Sequence, residues 1–259
     1  MTARLSLNLF ATVVAAFLVL PILAVVPVAF GDRSFVQLPP EKWSFRWWSN
    51  FFADPSWSRA LLTSLEVAVL SATLSVVLGT AAALGLTRAG PRLNALLTAL
   101  LLGPVVVPVI VLAVALYVIA RAAGLVGSLF ALVAAHTMLA LPYVALNVVV
   151  SLAALDRRLP LAASGLGASP WRVFRTVTLP LILPGVAGGG VFAFVTSFDE
   201  VVLSVFLAGP TVKTLPVRIW EEVRVEYTPV VAVAATLMIS LALLAALGSR
   251  LVAGRARSG

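Results

Sequence analysis

An all-α membrane fold with six transmembrane helices follows from three features of this sequence. The chain is 61% hydrophobic and 11% charged, whereas soluble domains are about half apolar and a quarter charged. Its apolar residues gather into six stretches, each longer than the ~20 residues that cross a bilayer as a helix. These stretches are rich in Ala and Leu and lack the polar alternation of a barrel, so their backbone groups find partners within helices. A single membrane domain over residues 1–259 is the expected organisation.

The first span is expected over Asn8 to Phe30, behind Arg4. A cleaved signal peptide is the rival reading, but the apolar run exceeds the ~7–15 residues of a signal core and lacks a clear small-x-small site, which favours a retained helix. The loop Gly31 to Arg59 holds Pro39, Pro40 and the aromatic residues Trp43, Trp47, Trp48, Phe51, Phe52 and Trp57. Indole rings favour the headgroup region, which predicts a segment lying on the outer leaflet; a ligand-stacking box is the alternative.

The second span, Ala60 to Leu86, stops at Arg88-Ala89-Gly90-Pro91-Arg92, where Gly and Pro break the helix and two arginines mark the cytoplasmic face. The third, Ala95 to Ala120, contains Gly103, Pro104 and Pro108 and is expected to bend. The fourth, Leu125 to Leu155, carries the sole histidine, His136, read as an interhelical hydrogen-bonding group with no chemistry assigned. The fifth and sixth are placed at Leu181 to Leu207 and Pro229 to Leu251. In the fifth, Gly188, Gly189 and Gly190 predict a close helix contact, since no phosphate-loop lysine follows.

Charge orients the bundle. With the N-terminus inside, the inner segments hold Arg4, Arg88, Arg92, Arg157, Arg158, Arg172, Arg175, Arg250, Arg255 and Arg257 against Asp156 alone. The outer segments balance eight basic residues with six acidic ones, Asp32, Glu41, Asp54, Glu221, Glu222 and Glu226. The asymmetry places both termini in the cytoplasm. The formal charge of +8 is spread over helix ends rather than gathered in a patch, which argues for membrane lipid and against nucleic acid as a partner. Without cysteine, neither a disulfide framework nor a thiolate metal site can form, as fits a bacterial inner membrane.

The segment 156–180, DRRLPLAASGLGASPWRVFRTVTLP, is too polar for lipid and too patterned for a linker. It reads as two short helices: Pro160 suits a first helical position, Leu161 to Ala168 supplies about two turns, and Ser169 caps a second helix opening at Pro170. In the second, Trp171, Phe174 and Val177 recur every three residues with Arg172 and Arg175 between them, giving one apolar and one basic side. The small residues Ala162, Ala163, Ser164, Gly165, Gly167 and Ala168 would let another protein approach the first helix closely.

The order Ala162-Ala163, Leu166-Gly167-Ala168, Phe174, Leu179-Pro180 and Gly185 resembles the cytoplasmic EAA loop of binding-protein-dependent ABC-importer permeases. Further along, Ser197-Phe198-Asp199-Glu200-Val201-Val202, Phe206-Leu207-Ala208-Gly209-Pro210 and Thr214-Leu215-Pro216 are similar to the C-type permeases of spermidine/putrescine importers, as are Asp156 and His136 with Pro142-Tyr143. Two departures stand out: Leu161 occupies the usual glutamate position, and Thr63-Ser64 stands where the family has an Asn-Ser pair. The resemblance implies a type I permease fold in which Leu161, Ala162, Ala163, Ser164, Leu166, Gly167 and Ala168 form a coupling helix docked into a cytoplasmic ATPase. It implies as partners a second permease subunit in a heterodimer, two ABC ATPase subunits and a periplasmic or extracellular binding protein. It also implies that no cofactor is bound by this chain, ATP and Mg being used by the partner ATPase.

Ionisable groups within membrane spans mark pathways by default, and the candidates are Glu66, Asp199 and Glu200. On one continuous fifth helix, Gly189, Ala193, Thr196, Glu200 and Ser204 would form a small or polar stripe. At ~1.5 Å per residue, Asp199 and Glu200 would lie about 11 to 14 Å from the outer end of that helix, and Glu66 about 9 Å from that of the second. An outward cavity lined by Glu66, Thr196, Asp199 and Glu200 suits a cationic substrate; a salt bridge to a partner subunit or a snorkelling carboxylate is the alternative. The resemblance implies a polyamine, or a similar small cation, as cargo; other amines, phosphonates and metal ions are the alternatives.

No nucleotide-binding motif, metal-ligand spacing or nucleophile constellation is found, so the chain is not expected to be an enzyme. An ion-coupled secondary transporter is a less favoured rival, because matched interrupted helices in two halves are not found. A membrane-embedded enzyme or assembly factor is the other rival; copurification with an ATPase would oppose both.

Overall fold

The computed structural model describes residues 2–35, 37–225 and 228–258, the side chains of 2, 3, 5 and 250–258 excepted. Glu226 and the side chains of Arg250, Arg255 and Arg257, counted in the charge balance above, lie outside the described residues. Strand pairing among the described residues is limited to an isolated antiparallel bridge between Gly31 and Trp43. Five helical segments are long and apolar enough to cross a membrane: Ser6–Val28, Pro55–Leu86, Leu129–Ala153, Pro170–Phe198 and Val230–Ser249. Read as one span, the bent pair Pro91–Val106 and Val109–Ala122 makes a sixth among the described residues. The chain divides into two compact units, residues 1–60 with 218–240, and residues 61–217 with 241–259.

The first unit opens with α1 (Thr2–Val28), whose residues 6–23 are all exposed. A connecting segment follows in which Arg33 and Gln37 both donate to the Glu41 carboxylate. Those bonds, Gln37 first and Arg33 second, hold the Glu41 carboxyl below its ordinary range. Next comes α2 (Arg46–Ala53), apolar on one side and polar on the other. The aromatic group expected on the outer leaflet is split. Trp47, Phe51 and Trp57 are buried in the unit's own core, where the Phe51 and Trp57 rings lie 5.6 Å apart. The Trp47 indole N–H donates to the Arg33 carbonyl at 3.1 Å. Trp43 and Phe52 stay exposed. The Arg218 guanidinium stacks 4.7 Å above Trp57 and pairs with Glu222 at 2.9 Å.

The second unit contains most of α3 (Pro55–Leu86), then α4 (Pro91–Val106), α5 (Val109–Ala122) and α6 (Leu129–Ala153). Next come α7 (Arg158–Gly165), α8 (Pro170–Val173), a π-helical turn (Phe174–Thr178), α9 (Leu179–Phe198) and α10 (Val202–Leu207). Two helices join the units in sequence, α11 (Leu215–Val225) and α12 (Val230–Ser258). Small residues set the packing. A Cβ added to Gly189 would stand 2.8 Å from the Val144 backbone, and one added to Gly79 2.9 Å from the Val144 side chain. One added to Gly190 would stand 3.0 Å from Val76. The three-glycine run is thus a helix contact, as expected. Ser71 and Ser75 reinforce it by donating to the α6 carbonyls of Val133 and Thr137.

Two spans and the helix between the fourth and fifth differ from their expected outlines. The third is broken, with α4 and α5 meeting at 101°. Val107, ahead of Pro108, is extended at φ −72, ψ 132, because the proline ring disfavours helical geometry in the residue before it. Pro108 then opens α5. The fifth span starts at Pro170 rather than Leu181 and ends at Phe198 rather than Leu207. Its early start runs helix through Pro180, which lacks an N–H; the wide π turn just before it absorbs the misfit. α7 also starts earlier than Leu161, because an Asp156 carboxylate oxygen takes the Arg158 N–H at 2.9 Å. Pro160 then falls in the first turn, where no helical N–H bond is lost.

Candidate functional site

The segment between the fourth and fifth spans is closed by its own hydrogen bonds. At the end of α7, Gly167 donates to the Ser164 carbonyl at 3.0 Å and Ala168 to the Ala163 carbonyl at 3.2 Å, the paired bonds of a Schellman ending. That ending needs a left-handed residue, and Gly167 provides it at φ +84. Ser169 then accepts the Arg172 N–H with its hydroxyl, and Pro170 takes the first helical position as expected. The result is a short helix with its apolar residues outward: Leu161 is 69% and Leu166 90% exposed. Ala162, Ser164 and Gly167 are also exposed, while Ala163 and Ala168 are half-buried.

Near the other end of the fifth span, the expected stripe is cut. α9 ends at Phe198, Asp199 closes it with φ −96 and ψ −1, and the chain restarts in α10. Glu200 turns back to accept the Leu203 N–H at 2.9 Å, so its carboxylate caps the new helix instead of continuing the row from Ala193 and Thr196. Gly189 and Ala193 face the helix packing rather than open space. Ser204 is also buried, at 0% exposure. Asp199 and Glu66 are exposed, and Thr196 and Glu200 are half-buried.

His136 braces this break. Its Nδ1 lies 2.8 Å from the Ser197 hydroxyl and 3.1 Å from the Ser197 carbonyl oxygen, and its Nε2 lies 3.0 Å from the Ser204 hydroxyl. One ring therefore ties α6 to both sides of the interruption. Seven residues into α6, or about 10 Å at 1.5 Å per residue, it sets the break towards the end of the fourth span that begins at Leu129. The pairing of His136 with Ser197 and Ser204 was not read from the sequence. Its signal is a lone buried imidazole matched to two serines flanking an acidic pair. Ser64, of the departing Thr63-Ser64 pair, accepts the Leu215 N–H at 2.7 Å and so starts α11.

With this geometry in hand, the comparisons are specific. Residues 75–258 match the family described as binding-protein-dependent transport system inner membrane component. The chain belongs to this family. It is a multi-pass inner-membrane protein and a permease subunit of a binding-protein-dependent ABC importer. The permease is 32% identical over 253 residues to the spermidine/putrescine transport system permease protein PotC of Escherichia coli (strain K12), covering 98% of this chain and 96% of that one. It is 34% identical over 215 residues to the molybdenum transport system permease protein ModB of Mycobacterium bovis, covering 76% and 81%. In fold it matches a chain of a bacterial ABC transporter for the acidic polysaccharide alginate, with a TM-score of 0.72 at 15% identity over 96% of both chains.

Proposed function

We propose that this permease carries a small organic cation, a polyamine of the spermidine/putrescine class, into the cytoplasm, and that ATP-driven partner subunits supply the energy through α7. The observation that carries the cargo reading is the break after α9. A helix C-terminus bears negative partial charge and free carbonyls, and here the carboxylates of Asp199 and Glu200 are added at the same point. Interrupted helices of this kind are where transporters hold ions and charged solutes. The match to the polyamine permease runs over 98% of this chain, against 76% for the molybdenum permease, and the acidic break likewise favours a cation over an oxyanion.

Assembly follows from exposure. A carboxylate facing hydrocarbon is costly, so the faces bearing Glu66 and Asp199 require a second permease subunit across a wetted path. The arginine-rich ends favour a cytoplasmic side for both termini and α7, where Leu161 and Leu166 would offer an apolar knob to one of two ABC ATPase subunits. ATP and Mg are handled there, and a binding protein outside delivers the cargo. The ordinary glutamate contact is replaced at Leu161 by apolar burial, worth about 1.5–3 kcal/mol when complete.

The test is uptake of labelled spermidine and putrescine by the complete importer in proteoliposomes. Glu200→Gln and Glu66→Gln are expected to raise the KM for both amines about tenfold, the equivalent of ~1.4 kcal/mol, without loss of assembly. Unchanged amine uptake in both variants would remove the cation reading. Leu166→Asp is expected to leave the permease folded and abolish transport-coupled ATP turnover; full coupling in that variant would remove α7 as the ATPase contact.

A further inference from the structure

A groove of about 610 Å³ runs between α3 and the helical segment from α8 into α9. One wall is Val77, Thr80, Leu84 and Arg88; the other is Trp171, Phe174, Leu179 and Val186. It belongs entirely to the second unit and is separate from the break at Asp199 and from α7. The walls converge at Val76, the groove residue against which a Cβ on Gly190 would stand 3.0 Å. From Val76 to Leu86 is ten residues of α3, about 15 Å at 1.5 Å per residue, with Arg88 two residues beyond its end. That is close to one leaflet of a ~30 Å hydrocarbon core.

The polar groups of the groove sit where a lipid would need them. Arg88 stands at its membrane-surface end, past the last turn of α3, and its guanidinium has no partner among the described residues. Trp171, 68% exposed, lies at the same end, as indoles do at headgroup level. The Thr80 hydroxyl oxygen is buried away from the groove surface. The remaining wall is hydrocarbon in character.

We infer that this groove is a binding site for an anionic phospholipid, with an acyl chain laid along α3 and the phosphate on Arg88. Basic residues at helix ends hold anionic headgroups in the same way elsewhere in membranes. A zwitterionic lipid could place the same chain but gains nothing from an unpaired arginine. Assignment of the site to the inner leaflet rests on the orientation proposed above; the lipid class does not.

The experiment uses the full chain reconstituted in nanodiscs of equal phosphatidylglycerol and phosphatidylethanolamine, released into the gas phase for native mass spectrometry. Phosphatidylglycerol is expected to be enriched about fivefold among retained lipids, the effect of roughly one basic contact. Arg88→Gln should return the ratio to that of the bilayer, and Val77→Trp, at an exposed position that fills the groove, should remove the retained lipid at unchanged helix content. Equal retention of both lipids by the unaltered chain overturns the proposal. So does undiminished retention in Val77→Trp, or a Val77→Trp chain that keeps its lipid but no longer joins a second permease. Labelling of Ala89→Cys in this cysteine-free chain, from one side of intact cells only, reports the leaflet separately. A wrong side would revise the orientation and leave the lipid ratios standing.

Discussion

A single imidazole holds three positions of the chain together at the break of the fifth span. Replacing His136 by Leu leaves the hydroxyls of Ser197 and Ser204 without their partner, and interhelical hydrogen bonds of this kind are worth about 1–2 kcal/mol in model membranes. The His136→Leu permease is therefore expected to unfold at lower denaturant in mixed micelles, by about that amount, with His136→Asn in between. Equal unfolding midpoints for all three would show that the ring does not brace the break. At this scale the sequence was partly legible. A lone histidine in an apolar span has to bond to something, and that much could be stated in advance. Which serines it reached could not, because Ser204 was assigned to the wrong helix as long as the fifth span was drawn unbroken. Gly167 was legible as a small residue only; its left-handed φ is a property of the turn it closes.

Among the elements, glycine spacing decides which helices touch. Gly189 on α9 meets the backbone of Val144 on α6, where nothing can rotate away. Gly189→Leu is expected to cost about 1–3 kcal/mol, the usual penalty of overpacking, measured as a lower thermal midpoint in detergent, while Gly188→Leu at a looser position costs less. Equal effects would mean that the seam is plastic. The positions of the spans were legible from apolar run length, because water and lipid sort residues without regard to tertiary detail. Their interruptions were not. Pro108 signalled a bend, yet nothing local fixed its size at 101°. No proline or glycine marks the stop at Asp199, which depends on side-chain bonds from Glu200 and His136 that only the folded chain brings together.

For the whole molecule, the chain by itself leaves surfaces that no single solvent accepts. Residues 6–23 of α1 are bare, Glu66 and Asp199 are exposed within or beside spans, and Leu166 stands out at the end of α7. Each has a natural destination in an importer of several subunits, and the aromatic residues first read as membrane anchors in part turn out to be internal mortar of the first unit. Between α7 and the break after α9 lies the π turn Phe174–Thr178, which carries one residue more than an ordinary helical turn needs. Deleting Thr176 would close that wide turn to ordinary pitch and drive the Pro180 ring into the preceding turn, a misfit that the extra residue now absorbs. The Thr176-deleted importer is expected to hydrolyse ATP while uptake falls to background; normal uptake would show that the extra residue is idle. The spare residue thus acts as slack in the joint between α7 and α9, and a pull on α7 has to take up that slack before α9 moves.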